Sequence, residues 1–296
     1  KSTNTFQYLE YKINSKTLLS SELTYMNYLA QQAGGLSDEM FKTDHLQSNR
    51  ARNWFEVEWL MYNLKFKKEF SNDTNFSFSF FGLEAKRNSL GFRTNRVSQV
   101  DSGEERDLIK GDFSNFGFES RLLTNYSLLN KKSLFLLGLK YYNSNSSSVQ
   151  GPGSNGFDAN FNFKNSLYPN YNNQSNYSYP NENIAIFAEN IIYLGDKISL
   201  TPGIRYENII TNSKGFYRKI NLDGAGNVIF NEKFDESDKK SRNFLLVGLG
   251  FSYKANRNLE LYSNFSENYR SVTFADISTI NPAYAINPNI DDERGY

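Results

Sequence analysis

The sequence of 296 residues contains no cysteine, which excludes disulfide bridges and thiolate metal sites. Histidine occurs once, at His45, so a Ser–His–Asp hydrolase would depend on that single side chain, and no nucleophile elbow accompanies it. No apolar run approaches the ~20 residues that a membrane-spanning helix needs. The formal net charge is +1, which provides no global field to attract nucleic acid. We therefore expect neither an enzyme nor a nucleic-acid-binding protein.

What the sequence does contain is a pattern of strands. Residues 183–193 and 198–211 flank a short Gly-Asp turn, and the second run alternates with period two. Its apolar side comprises Ile198, Leu200, Pro202, Ile204 and Tyr206. Its polar side comprises Ser199, Thr201, Gly203, Arg205 and Glu207. The apolar side would form the core of a soluble β-sandwich or contact lipid in an outer-membrane barrel.

Short turn signals recur roughly every 60 residues, and each has a long strand-like run on both sides. They lie at residues 14–17, 71–74, 129–132, 194–197 and 255–258. Between them we predict long loops at residues 31–50, 88–112, 144–180 and 213–240. Short links at one end and long loops at the other are typical of outer-membrane barrels. We predict an all-β fold, a partial transmembrane antiparallel β-barrel of about ten strands with short periplasmic turns and long extracellular loops.

One predicted strand changes phase. Its apolar residues first follow one phase, Phe55, Val57, Trp59 and Met61, and then the other, Tyr62, Leu64 and Phe66. We predict a β-bulge near Met61, because one extra residue would return the later apolar side chains to the original face.

Two motif matches fail on context. Residues 151–156 satisfy the glycine spacing of a dinucleotide-binding loop, but no helix is predicted after them. Residues 221–232 partly match a calcium loop, but Ala225 occupies a ligand position and the flanks are strand-like. We interpret the first as a loop and the second as a hairpin tip, with weak Ca²⁺ binding there as the alternative, and we expect no metal site or bound cofactor.

Several segments resemble a known family. Residues 187–190, Phe-Ala-Glu-Asn, leading into residues 199–207 resemble a barrel hairpin of TonB-dependent outer-membrane receptors, as do residues 267–277. Residues 47–55 and 89–97 are similar to Bacteroidetes-type ferric dicitrate receptors within that family. The resemblance covers essentially the whole chain, so we expect residues 1–296 to form one partial receptor barrel domain.

The resemblance implies a 22-stranded barrel with an N-terminal plug, in the outer membrane of a Gram-negative bacterium. It implies TonB-energised uptake of a ferric chelate similar to ferric citrate, with iron carried only as cargo and no covalent chemistry. The implied partners are the TonB complex acting through the plug, the ferric chelate and outer-membrane lipid. We expect the sequence to be the middle of a longer protein, with the plug and the closing C-terminal strands outside it.

The candidate ligand-binding residues are Arg50, Arg52, Arg87, Arg93, Arg96 and Gln47. The arginines lie at the loop ends of two neighbouring strands or just beyond, and because paired strands are ~4.8 Å apart we predict that they converge at one rim of the mouth. Arginine binds carboxylates through two parallel hydrogen bonds, which suits an anionic ferric–citrate complex. Alternatively, these arginines balance the nearby acids Glu104, Glu105 and Asp107, or bind lipopolysaccharide phosphates.

A second set of charges, in mid-strand, is predicted to face the lumen: Glu119, Arg121, Arg205 and Glu207. They would contact the plug or the substrate path, or form an internal ion-pair network. We favour the network, because an unpaired charge in a dry wall is costly.

Other functions remain compatible with the sequence. The receptor could take another siderophore, or an oligosaccharide stacked on the Tyr-rich residues 168–179. A passive porin, a surface adhesin and a soluble β enzyme are further alternatives.

Overall fold

The computed structural model describes residues 1–94, 96–271 and 292–296. Ten consecutive strands form one antiparallel sheet in which each strand pairs with its neighbours in sequence. The strands are β1 (Ser2–Asn14), β2 (Thr17–Gln31), β3 (Trp54–Glu69), β4 (Thr74–Gly91), β5 (Asp107–Leu128), β6 (Lys131–Pro152), β7 (Gln174–Tyr193), β8 (Ile198–Leu222), β9 (Val228–Asn256) and β10 (Leu259–Ser266). Within the described residues β1 and β10 are the edges of this sheet. The prediction of an all-β fold with ten strands is confirmed.

Five short turns close the hairpins at one end of the sheet, which we call the turn end; the opposite end is the loop end. Asn14 and Asn256 each accept a hydrogen bond, at 2.9 Å, from the backbone N–H two residues later, which mimics a backbone turn. Leu129 and Asn130 have φ values of 53° and 58°, the left-handed pair that a type I′ hairpin turn requires. All five turns lie where the sequence predicts them.

Near the turn end, one face of the sheet is apolar from strand to strand, and we call it the band face. A single row of paired residues across β3–β7 comprises Leu64, Phe80, Phe118, Tyr141 and Ile184. Adjacent aromatic rings pack along this row, with the centroids of Phe118 and Tyr141 5.5 Å apart. None of these five side chains is buried: Leu64 is 43% and Ile184 37% exposed, and the three aromatic residues are half-buried. The band face is therefore apolar without being the interior of a two-layer core.

The opposite face, which we call the reverse face, is mostly polar near the turn end of β2–β4, whereas Leu123, Leu136 and Phe187 lie on it in β5–β7. Ser79 donates a hydrogen bond to Asn63 at 2.7 Å, and Asn63 donates to Glu22 at 3.3 Å, which links β2, β3 and β4. The predicted alternation of apolar and polar side chains is confirmed in this part of the sheet.

At the loop end, the strands continue beyond the predicted loop boundaries. The predicted loop at residues 144–180 shrinks to residues 153–173, and the one at residues 88–112 shrinks to residues 92–106. These loop predictions were wrong in extent, because polar side chains do not stop the pairing of backbone N–H and C=O groups between neighbouring strands.

The predicted loop at residues 213–240 is mostly a long hairpin, since β8 pairs with β9 as far as Leu222. Its tip is held by Asp223, which accepts hydrogen bonds from the backbone N–H groups of Ala225 and Asn227. The interpretation of this segment as a hairpin tip rather than a calcium loop agrees with the structure.

The bulge predicted near Met61 is absent, and that prediction was wrong. The register runs without a shift through Leu60, Met61 and Tyr62 against both β2 and β4. Gly82, which pairs with Tyr62, leaves room for the Tyr62 side chain on the band face, because a Cβ at position 82 would overlap the Tyr62 hydroxyl. The phase change in sequence therefore marks an exchange of polarity between the two faces.

Two smaller elements complete the described fold. Helix α1 (Asp38–Thr43) lies between β2 and β3, and Ser37 caps it by accepting a hydrogen bond from Met40 N. Strands β11 (Asn268–Arg270) and β12 (Glu293–Gly295) form a two-stranded sheet. The family motif at residues 267–277 lies partly outside the described residues, as does position 95 of the motif at residues 89–97. None of the described helices has the length and hydropathy needed to cross a membrane.

Candidate functional site

A polar cleft of about 1160 Å³ lies at the loop end of β3 and β4. Its walls come from the segments before β3 and after β4, together with one residue of the loop before β7. The residues that line it are Gly34, Gly35, Arg50, Asn53, Phe92, Arg93, Thr94, Arg96, Val97, Ser98, Gln99 and Asn173. Three of the five predicted arginines are among them, and the described lining contains no carboxylate.

Arg50 lines the cleft but is almost completely buried. Its side chain is only 6% exposed and donates to the backbone carbonyls of Asn49, Arg96 and Val97 at 2.7 to 3.4 Å. Its guanidinium also lies over the ring of Phe92, 5.3 Å from the centroid. Arg50 therefore ties two loop segments together and offers little of its surface to a ligand.

Arg93 projects from the cleft wall and is anchored at its base. Its Nε lies 3.1 Å from Asp107 Oδ2, and the Arg93 side chain remains 53% exposed while Asp107 is 4% exposed. Asp107 also accepts hydrogen bonds from Gln150 and, at 2.8 Å, from the Tyr171 hydroxyl. Burial raises the pKa of Asp107, whereas these donors and Arg93 act in the opposite direction. The carboxylate thus positions an exposed guanidinium.

The remaining predicted arginines take two different positions. Arg96 is exposed and lines the cleft. Arg87 lies below it on the reverse face of β4, paired with Val57 and Gly111, and its guanidinium is 5.6 Å from the Phe113 ring centroid. Together with Arg93, these side chains form an exposed cationic set.

Arg52 and Gln47 do not line the cleft. Arg52 is 4% exposed, forms an ion pair with Asp101 and donates to the carbonyls of Glu104 and Asn155. Its hydrogen bond holds the pKa of Asp101 below its usual range. Gln47 donates to the Met40 carbonyl and so supports α1. The five arginines do not converge at one rim, although the ligand-binding assignment itself stays a prediction.

The sequence analysis missed Arg106, which is fully buried. It donates to the carbonyls of Ser154, Arg52 and Asp158 at 2.8 to 2.9 Å and forms an ion pair with the Asp158 carboxylate at 3.4 Å. We call Arg52, Arg106, Asp101, Asp158 and Ser154 the arginine cluster. No motif marks this residue, because its partners are mostly backbone carbonyls of distant loops.

The four mid-strand charges share the reverse face in two adjacent rows. Arg121 and Arg205 occupy one row with Phe187 between them, and their guanidinium carbons lie 6.0 and 5.2 Å from its ring centroid. Each arginine forms an ion pair two residues along its own strand, with Glu119 and Glu207 respectively. This geometry agrees with the ion-pair interpretation, and contact with a plug stays a prediction.

The rejected motifs contribute no site. Residues 151–156 form the end of β6 and the start of a loop, without a following helix. His45 packs its ring 6.0 Å from that of Phe41. Across the described ranges, no group of three or more acidic, histidine or cysteine side chains is placed to hold a metal ion.

Comparison with known families gives one match along nearly the entire chain. A family model described as TonB-dependent receptor-like, beta-barrel, matches residues 5–296. A comparison with curated protein sequences finds no match.

Solved structures share the fold at low sequence identity. The unliganded ferric citrate transporter FecA aligns with a TM-score of 0.68 and 16% identity over 90% of this chain and 36% of its own. The siderophore receptor PiuA from Acinetobacter baumannii aligns with a TM-score of 0.68 and 11% identity over 99% of this chain and 46% of its own. The ferric yersiniabactin uptake receptor FyuA from Yersinia pestis aligns with a TM-score of 0.65 and 12% identity over 99% of this chain and 40% of its own. The chain therefore spans less than half the length of each.

Proposed function

The chain belongs to the TonB-dependent receptor β-barrel family, and from that premise we propose that it forms part of the wall of an outer-membrane receptor for an anionic ferric chelate such as ferric citrate. Membership confirms the predicted family and fold class, and this is a family of receptors rather than enzymes. In the proposed mechanism the chelate binds at the loop end, and the TonB complex then acts through a plug domain to admit it. The finer likeness to Bacteroidetes-type ferric dicitrate receptors stays a prediction.

The band face supports placement in the outer membrane. Large apolar side chains such as Ile186, Val247 and Leu249 are between 43% and 51% exposed on this face. An exposed apolar band of this kind normally marks contact with lipid or another protein. With lipid on the band face, the short turns would face the periplasm and the long loops the exterior, as in other outer-membrane barrels.

The observation that carries the proposed substrate is the charge of the cleft. Arg93 and Arg96 are exposed there, and no carboxylate stands among the described lining residues. Asp107 already pairs with the Nε of Arg93, but the lining itself carries no carboxylate, and exposed guanidinium groups in such a lining favour a ligand that presents carboxylates. Ferric citrate fits this chemistry, and FecA, which has a similar fold, is a ferric citrate transporter.

The test is a double substitution, Arg93→Gln with Arg96→Gln, in the complete receptor. We expect the affinity for ferric citrate to fall by about tenfold or more, since each lost charge-assisted hydrogen bond contributes roughly 1.5–3 kcal/mol. Calorimetric titration measures the change, and Arg257→Gln in an exposed turn-end position is the matched control. Unchanged affinity in the double variant would refute the assignment of the cleft. Arg50 and Arg52 are left intact, because their loss would disturb the loops themselves.

One observation favours oligosaccharide as a second candidate substrate. Tyr177 and Tyr179 stack with centroids 6.0 Å apart, and Tyr217 stacks on Phe234 at 5.2 Å, all on the reverse face of β7–β9. Aromatic rings of this kind bind sugar faces. A sugar receptor would lose affinity for an oligosaccharide on Tyr217→Ala and keep it in the arginine double variant.

A further inference from the structure

The reverse face changes character between the two ends of the sheet. Near the turn end of β2–β4 it is mostly polar, but toward the loop end of β2–β5 it becomes apolar. We call this region the upper apolar patch; it comprises Met26, Tyr28, Phe55, Val57, Trp59, Met61, Leu83, Ala85 and Phe113. Paired rows cross it from strand to strand, for example Met26, Trp59, Ala85 and Phe113. Parts of it are open, with Tyr28 39% and Met61 40% exposed.

The band face of the same strand segments carries the charges. It presents Glu56, Glu58, Glu84, Lys86, Lys110 and Asp112. Two of these carboxylates are hydrogen-bonded locally: Asn88 donates to Glu56 at 2.7 Å, and Ser114 donates to Glu84 at 2.6 Å. Polarity is thus reversed relative to the turn end. The apolar side chains in this region lie on the face turned away from the apolar band.

The upper apolar patch is continuous with the cationic cleft. Asn53 lines the cleft, and Phe55 and Val57 follow it down the same strand. Arg87 lies within the patch, with its guanidinium over the ring of Phe113. Among the described residues of these paired rows, Arg87 is the one that carries a charge. An apolar surface that begins at a cationic cleft and retains one cation fits a ligand of mixed chemistry.

We infer that the ligand carries an apolar or aromatic arm beside its anionic chelating groups, and that this arm lies on the upper apolar patch near Phe55, Val57 and Phe113. This inference rests on the proposed function and narrows its substrate class. Val57 lies ~13 Å down the strand from Asn53. A ligand anchored at Arg93 therefore reaches Val57 only if it carries an extended arm.

The experiment compares two ferric chelates of equal charge. One is formed by citrate mono-N-methylamide and the other by citrate mono-N-(4-phenylbutyl)amide. We expect the complete receptor in nanodiscs to bind the phenylbutyl chelate about tenfold more tightly, because the arm removes apolar surface from water. Empty nanodiscs correct for partition of the arm into lipid.

Two variants on one strand locate the arm. Val57→Ser makes the patch polar, whereas Leu60→Ser makes a similar change on the band face of β3. We expect Val57→Ser to remove most of the preference for the phenylbutyl chelate and to leave the affinity for the methyl chelate unchanged. Leu60→Ser should leave both affinities unchanged.

The outcomes separate this inference from the proposed function. If neither chelate binds, the proposed function fails. If both bind equally, or if Val57→Ser leaves the preference intact, the inference is overturned while the proposed function stands.

Discussion

The turn-end and loop-end halves of this sheet follow different rules. In the turn-end half, Leu64 and Ile204 share one apolar face while Arg121 and Arg205 share the other. In the loop-end half the polarity of β3–β5 is exchanged, and the side chains with least exposure include Leu108 and Arg106 at 0%. The same paired strands therefore carry their apolar side chains on the band face in the turn-end half and, in β3–β5, on the reverse face in the loop-end half.

The difference teaches what alternation in a sequence measures. Period-two alternation reports that the two faces of a strand meet different surroundings, and not which face is which. The phase change at Met61 marks the boundary between the two halves, because the register there is unbroken.

The largest expected effect comes from removing the Arg106 side chain, which joins segments at the loop end. Arg106→Ala leaves the carbonyls of Ser154, Arg52 and Asp158 without their donor inside the arginine cluster. We expect a loss of about 3 kcal/mol in local stability. Hydrogen exchange should rise in residues 96–106 and 153–173, with the turn-end strands unchanged.

The exposed Arg257→Ala is the control for this change. If exchange in the loops were the same in the Arg106 and Arg257 variants, the arginine cluster would not hold the loop end together.

The next effect tests whether the band face meets lipid only in the turn-end half. Ile204→Lys puts a charge in the apolar band, and we expect a cost of about 2–4 kcal/mol in urea unfolding from vesicles. Ser237→Lys lies on the same face in the loop-end half, and we expect it to cost less, roughly 0.2–1 kcal/mol, from repulsion by the paired Lys214. Equal costs for the two changes would contradict a lipid boundary between the halves.

The smallest effect compares two loop-end carboxylates. The pKa of Asp101 is lowered by Arg52, so its contribution to stability is present above the ordinary carboxyl pKa of ~3.9 and is lost as the pH falls through the lowered value. The pKa of Asp107 is raised by burial, so its contribution is complete below ~3.9 and is lost as the pH rises through the raised value.

The melting temperature of the receptor, measured against pH, tests this pair. Relative to Asp101→Asn, the unmodified receptor should gain stability with rising pH. Relative to Asp107→Asn it should lose stability with rising pH. Slopes of the same sign would show that burial does not control Asp107.

Much of the fold was predictable because it depends on local signals. Turn chemistry at Asn14 and Asn256 fixed two hairpin ends, and period-two alternation fixed the strands around Ile204. The loop boundaries were not predictable, since the pairing that extends β8 to Leu222 places polar side chains on both faces.

The candidate site was predictable only in part. Its residue type and neighbourhood were found, and Arg93 and Arg96 do line the cleft. The roles of Arg50 and Arg52 in joining loops were not found, because their acceptors are carbonyls that are distant in sequence.

The sequence by itself determined the family, the ten strands and the positions of the turns, because these follow from side-chain periodicity and short-range backbone chemistry. The tertiary structure alone decided which arginines are buried, which are exposed, and where the apolar side chains exchange faces. Those properties depend on which distant carbonyls, rings and carboxylates come into contact, and a one-dimensional pattern does not encode that contact.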